Sequence, residues 1–161
     1  MGREVSDEDV KVGLWSLKLF KAPGPDGLHA GFYQHFWVKV GKSVCEEVKA
    51  IFKDGLVPDH LNETLVTLIP KCKSPESLNN YRPISLCNSV HKIASKNLVK
   101  RIRPYLNKLV SPFQTAFVPK RKGLDNVLVA QELFYALDKK KRKEGYMAIK
   151  VDLEKAYDRM E

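Results

Sequence analysis

The sequence predicts an α+β domain, and three observations carry that expectation. Apolar residues recur every three or four positions through residues 30–54 and again through 89–103, the period of a half-buried helix. Residues 63–70, rich in β-branched residues and bounded by a proline, read as a strand, and 81–86 as a second short extended piece. Residues 147–151 alternate strictly. Met147, Ile149 and Val151 point one way and Ala148, Lys150 and Asp152 the other, as a strand with one buried face requires.

Taken in order, Ser6 followed by Asp7, Glu8 and Asp9 has the form of an N-cap with an acidic first turn. Val10, Leu14 and Leu17 then fall on one face, so a first short helix is expected to end before Lys21. KAPGPDG, residues 21–27, packs two prolines and two glycines into a stiff loop. That loop is either a connector or a platform that brings Lys21 and backbone amides to a phosphate. Residues 30–54 form one long helix or two stacked ones, with Gly41 the weak point, Gly55 the C-terminal cap and Pro58 the stop. Phe32, Tyr33, Phe36 and Trp37 read as core before they read as a base-stacking platform.

The two strands around a polar loop, 71–80, suggest a hairpin with Lys71 and Arg82 on its two arms. Such a pair is suited to a triphosphate, Arg through its planar fork and Lys as a point charge; plain surface solvation is the other reading. In 89–103, Val90, Ile93, Ala94, Asn97, Leu98 and Ile102 form the apolar stripe, and Lys92, Lys96, Lys100, Arg101 and Arg103 lie largely off it. This basic amphipathic helix, halted at Pro104, either keeps the chain solvated or tracks a phosphate backbone. Residues 111–119 are irregular, Asp125 caps a helix running to about Leu137, and 138–145 make a charged turn into the alternating strand.

Lys and Arg number 28 against 19 Asp and Glu, a formal charge of +9 with pI near 9.4, which favours a polyanionic partner, nucleic acid first. With 161 residues and 43% hydrophobic content, the chain can build one domain core or a substantial piece of a larger one. Cys45, Cys72 and Cys87 are odd in number and far apart, so neither a disulfide framework nor a zinc site is indicated and a reducing, intracellular setting is expected. No apolar run approaches the length of a membrane span, and no membrane partner is expected. Asp152 ends its strand just before LEKAYDRM, a helix-favouring run. On residues alone it is either a ligand for a hard cation such as Mg²⁺ or the cap of that helix.

Six blocks stand in a fixed order: KAPGPDG at 21–27, LIPK at 68–71, NYRPISL at 80–86, QTAFVPKR at 114–121, DNVLVAQE at 125–132 and MAIKVDLEKAYD at 147–158. Together they closely resemble the N-terminal half of the reverse transcriptase of LINE-type, non-LTR retrotransposons, plant elements especially, over about residues 15 to 161. The wording of KAPGPDG and YRPISL favours that family over intron maturases, which share the polymerase fold. The resemblance implies a right-hand polymerase fold in partial form, with residues 1 to about 140 fingers-like and 141–161 the start of the palm. It implies that Asp152 is the first catalytic, metal-binding aspartate, that the Leu153 carbonyl helps hold a second metal, and that Tyr157 lies beneath the incoming sugar. It further implies that Lys71 and Arg82 contact the triphosphate. Lys21, Lys96, Lys100, Arg101 and Arg121 are then the cations expected on nucleic acid. The partners implied are an RNA template, a DNA primer and dNTPs. Mg²⁺, or Mn²⁺, is the implied cofactor, expected only with a complete palm.

Two departures qualify the match. Where the family has glycine in its VPGR block this chain has Lys120, which puts the tight turn there in question. The adjacent aspartate pair that completes the family's site is not among the residues to Glu161, so the expectation is a polymerase fragment inactive alone. The rival from another class is a non-catalytic basic module that keeps nucleic-acid affinity without chemistry.

Overall fold

The computed structural model describes residues 3–139, Met147 and Ile149, and the chain divides into two compact units, Met1–Leu106 and Asn107–Glu161. The expected strand at 147–151, Asp152, Leu153, Tyr157 and the basic run from 140 to 143 therefore lie outside the described residues, apart from Met147 and Ile149.

In the first unit α1, Asp7–Trp15, starts as its sequence requires. The Ser6 hydroxyl accepts the Asp9 N–H while the Asp9 carboxylate accepts the Ser6 N–H, a reciprocal capping box. The long apolar repeat resolves into α2, Ala30–His35, and α3, Trp37–Asp54, parted at Phe36 rather than at Gly41. Gly41 stays helical and buried, and a Cβ there would meet the Trp37 indole at 2.8 Å, which favours glycine at that position. Gly55 closes α3 in the left-handed region, φ 70°, as expected, and its N–H donates to the Ile51 carbonyl. After the one-turn helix α4, Asp59–Asn62, come the strands β1, Thr64–Pro70, and β2, Tyr81–Cys87, and then α5, Ser89–Ile102.

The core of this unit is helical apart from Val5, which precedes α1. Val10 and Leu14 of α1, Val44, Val48 and Ile51 of α3, and Val90, Ile93 and Ala94 of α5 pack together with Ala30, Tyr33 and Leu61. The stripe read from α5 holds through Asn97, whose side chain is 2% exposed and donates to the Ile93 carbonyl, but Leu98 faces solvent. Among the described residues the two strands form a two-stranded antiparallel sheet and add nothing to the core; every residue of β1 is exposed.

α5 ends at Ile102, just before Pro104, as expected, and Pro104 redirects the chain. It falls at the start of a 3₁₀ turn, Arg103–Tyr105, where a proline's missing N–H is not needed, and α6, Leu106–Leu109, follows directly. In the second unit the loop 110–122 leads into α7, Gly123–Lys139. Asp125 is the third residue of α7, not its cap. Its N–H donates to the Lys122 carbonyl. The loop holds two non-glycine residues at positive φ, Phe117 at 63° and Lys120 at 68°. The tight turn of the VPGR block is thus made with Lys120 in the conformation that glycine adopts without strain.

Candidate nucleotide and nucleic-acid interface

The hairpin brings Lys71 and Arg82 together as the two runs implied. β1 and β2 pair with Ile69 opposite Arg82 and Pro70 opposite Tyr81, and the ladder continues through the Lys71 N–H to the Asn80 carbonyl at 2.7 Å. Directly paired residues share a face and alternate residues return to it, so Leu65, Thr67, Ile69 and Lys71 stand with Arg82, Ile84 and Leu86. Both cations are exposed. The Lys71 ammonium rests on the Asn79 carbonyl at 2.8 Å, which fixes its position while leaving its other protons outward.

KAPGPDG is clamped to the point where β2 becomes α5. Asn88 accepts the Asp26 N–H at 3.2 Å and donates to the His60 carbonyl at 3.0 Å; it is 3% exposed, and both its ends are used. The Ser89 hydroxyl donates to the Leu28 carbonyl at 2.7 Å, and the Lys92 ammonium to the Ala22 carbonyl at 3.0 Å. Gly24 lies so close that a Cβ would collide with the Asn88 side chain and with the Cys87–Asn88 backbone. Pro25 and Asp26 occupy the corners of a turn closed by the Gly27 N–H on the Gly24 carbonyl, and the Asp26 carboxylate accepts the Leu28 N–H. Lys21 projects from this anchored loop into solvent. The clamp residues Asn88 and Ser89 carried no signal of this role, since an Asn–Ser pair between strand and helix reads as an N-cap.

Several cations of α5 serve the fold as well as the surface charge. Lys100 reaches Asp9 at 3.3 Å, and Asp9 also pairs with Arg3. Burial works against the Asp9 carboxylate, but hydrogen bonds from Ser6, Arg3 and Lys100 outweigh it and hold the group well below the usual carboxylate range. The Arg101 guanidinium lies 5.1 Å from the Phe52 ring, with one terminal nitrogen buried and unpartnered among the described residues. Lys96 is exposed. On the neighbouring helices burial, then the Tyr33–Asp26 contact, pushes the Tyr33 phenol up to about 12, and burial beside Asp7 pushes the Cys45 thiol up to about 11.

In the second unit the Arg121 guanidinium is spent on the carbonyls of Val110, Ser111 and Gln114, and Asn126 ties Phe113 and Thr115 to α7. Arg121 therefore holds its own loop and offers a ligand chiefly its charge. Among the described residues no three His, Cys, Asp or Glu side chains converge as a metal site, and no helix is long and apolar enough to cross a membrane.

Residues 69–161 match the model of the reverse transcriptase (RNA-dependent DNA polymerase) family. The chain is 30% identical over 141 residues, 88% of its length, to the transposon TX1 uncharacterized 149 kDa protein of Xenopus laevis. It is 26% identical over 158 residues, 97% of its length, to the retrovirus-related Pol polyprotein from the type-1 retrotransposable element R2 of Popillia japonica. It spans only 11% and 20% of those two proteins. With the family matched over more than half of its residues, this chain belongs to the reverse transcriptases, among those of LINE-type, non-LTR retrotransposons.

Proposed function

We propose that residues 1–161 supply the fingers and the first palm segment of an RNA-directed DNA polymerase, with residues 1 to about 140 as fingers and 141–161 opening the palm. The observation that carries this reading is the hairpin register, which sets Lys71 and Arg82 on one exposed face. Transfer of a phosphoryl group is largely positioning and charge neutralisation around in-line oxygens, and a fork beside a point charge suits that task. In this reading Asp152 and the Leu153 carbonyl hold Mg²⁺ or Mn²⁺, and Tyr157 meets the sugar. Lys21, Lys96, Lys100, Arg101 and Arg121 lie along the RNA template and DNA primer. The metal would stabilise charge on the phosphates.

The test is triphosphate binding by the chain and by its Lys71→Ala and Arg82→Ala variants, both at exposed positions and so expected to fold. Each lost charge-assisted contact should weaken dNTP binding about tenfold. Unchanged binding would remove the triphosphate role and leave the non-catalytic nucleic-acid-binding module as the better description.

A further inference from the structure

The first 36 residues build a recess that lies outside the family match at 69–161 and that the hairpin does not use. It has a volume of about 660 Å³ and is walled by Trp15, Phe20, His29, Phe32, His35 and Phe36. Its walls are held in place. The Gly31 N–H donates to the Leu19 carbonyl at 3.0 Å, and Gln34 bonds the carbonyls of Leu14 and Leu17 at 3.1 and 3.3 Å, tying α2 to the end of α1 and the loop beyond it. Phe20 packs edge-on against His29 at 5.3 Å, and Trp15 edge-on against Trp37 at 5.4 Å. Even so, Phe20 is 81% and Trp15 47% exposed, which is costly in water unless a ligand covers them.

Charge indicates what that ligand is. Lys18 and Lys21, both exposed, flank the lining residues Leu19 and Phe20 in the chain, and Lys11 lies 5.7 Å from the Trp15 ring. The one carboxylate between Val10 and Val40, Asp26, is engaged by the Leu28 N–H and the Tyr33 hydroxyl, and no Asp or Glu lines the recess. His29 accepts the Phe32 N–H at Nδ1, which leaves its proton on Nε2 as a free donor. Aromatic walls without a carboxylate, with exposed lysines next to them in the chain, fit a flat heterocycle carried on a polyanion, and an apolar protein segment would use only the walls.

We propose that this recess holds one unpaired nucleobase of single-stranded RNA, stacked against Phe20 and Trp15 with flanking phosphates met by Lys18 and Lys21. The proposal rests on the nucleic-acid reading above, and RNA is the strand chosen because the chain belongs to an RNA-dependent family.

The test uses the whole chain, whose only two tryptophans are Trp15 in the wall and Trp37 beside it. Tryptophan emission is followed at low salt during titration with a uridylate decamer, an abasic ribose-phosphate decamer and a deoxy decamer. The uridylate decamer should quench emission and bind at least about fivefold more tightly than the abasic one, the contribution of one stacked base. Phe20→Ala should erase that difference without changing abasic affinity or the circular dichroism spectrum, and Phe20→Tyr should retain it. Equal affinity for base-bearing and abasic strands, or a difference that survives Phe20→Ala, overturns the proposal and leaves a protein partner as the occupant. Tighter binding of the deoxy decamer overturns RNA as the ligand. Failure of every decamer to bind overturns the proposal together with the nucleic-acid reading on which it rests, an outcome distinct from equal binding.

Discussion

At the scale of single residues, two glycines of one loop, Gly24 and Gly27, have opposite reasons to be glycine.

 Gly24 faces the Asn88 side chain and the backbone where β2 ends, whereas Gly27 has open space around it and a φ of 69°. A methyl group at Gly24 must displace backbone, at a cost of about 2–3 kcal/mol. At Gly27 it meets only the left-handed strain of about 1 kcal/mol. Thermal or urea melts should therefore rank Gly24→Ala as the more damaging change, and the reverse order would show that Asn88 does not clamp the loop. Asp9 gives a second prediction. Its folded value lies below the ordinary 3.8, so its contribution to stability is complete above about pH 4 and is lost as pH falls through the folded value. Urea melts at pH 6, 4 and 3 should show wild type losing stability below pH 4 more steeply than Asp9→Asn, which is weaker at pH 6 by about 1–2 kcal/mol. Parallel pH profiles would mean that Ser6, Arg3 and Lys100 do not favour the charged form.

At the scale of elements, periodicity and caps made most of the first unit legible. Ser6 with Asp9 started α1, Gly55 ended α3, and the two extended runs paired into a hairpin with Lys71 and Arg82 on one face. The break at Phe36 was not legible, because its apolar spacing continues across the junction and gives no breaker residue. Asp125 misled for a related reason: an Asp near a helix start reads as a cap, yet α7 begins at Gly123. The recess was missed because Trp15 and Phe20 look like core aromatics, and sequence does not say which aromatic rings a fold leaves uncovered. Lys120 was legible as a departure and the structure gives its consequence, a φ of 68°. Lys120→Gly should relieve that strain and stabilise the second unit by about 0.5–1 kcal/mol in thermal melts, less the entropy that glycine adds to the unfolded chain. Destabilisation would mean that the Lys120 side chain contributes more than its backbone costs.

At the scale of the whole molecule, family membership was legible through six ordered blocks, while the chemistry those blocks imply depends on residues beyond the hairpin. A formal charge of +9 predicts sequence-independent binding to RNA or an RNA/DNA hybrid. If only two phosphates are neutralised, affinity should fall about tenfold between 50 and 200 mM salt, and an affinity indifferent to salt would exclude phosphate contacts as its source. Catalysis asks for more than binding. Two-metal phosphoryl transfer needs carboxylates on both sides of the ions, and the proposed reading assigns that role to Asp152 alone among residues 1–161. One aspartate holds Mg²⁺ weakly, because the ion gives up its water reluctantly and gains little from a single ligand. Residues 1–161 alone should therefore give no primer extension on an RNA template with dNTPs and Mg²⁺ or Mn²⁺. A chain extended through the family's aspartate pair should extend the primer and lose that activity in Asp152→Asn. Extension by residues 1–161 that disappears in Asp152→Asn would show that the site is complete without the pair.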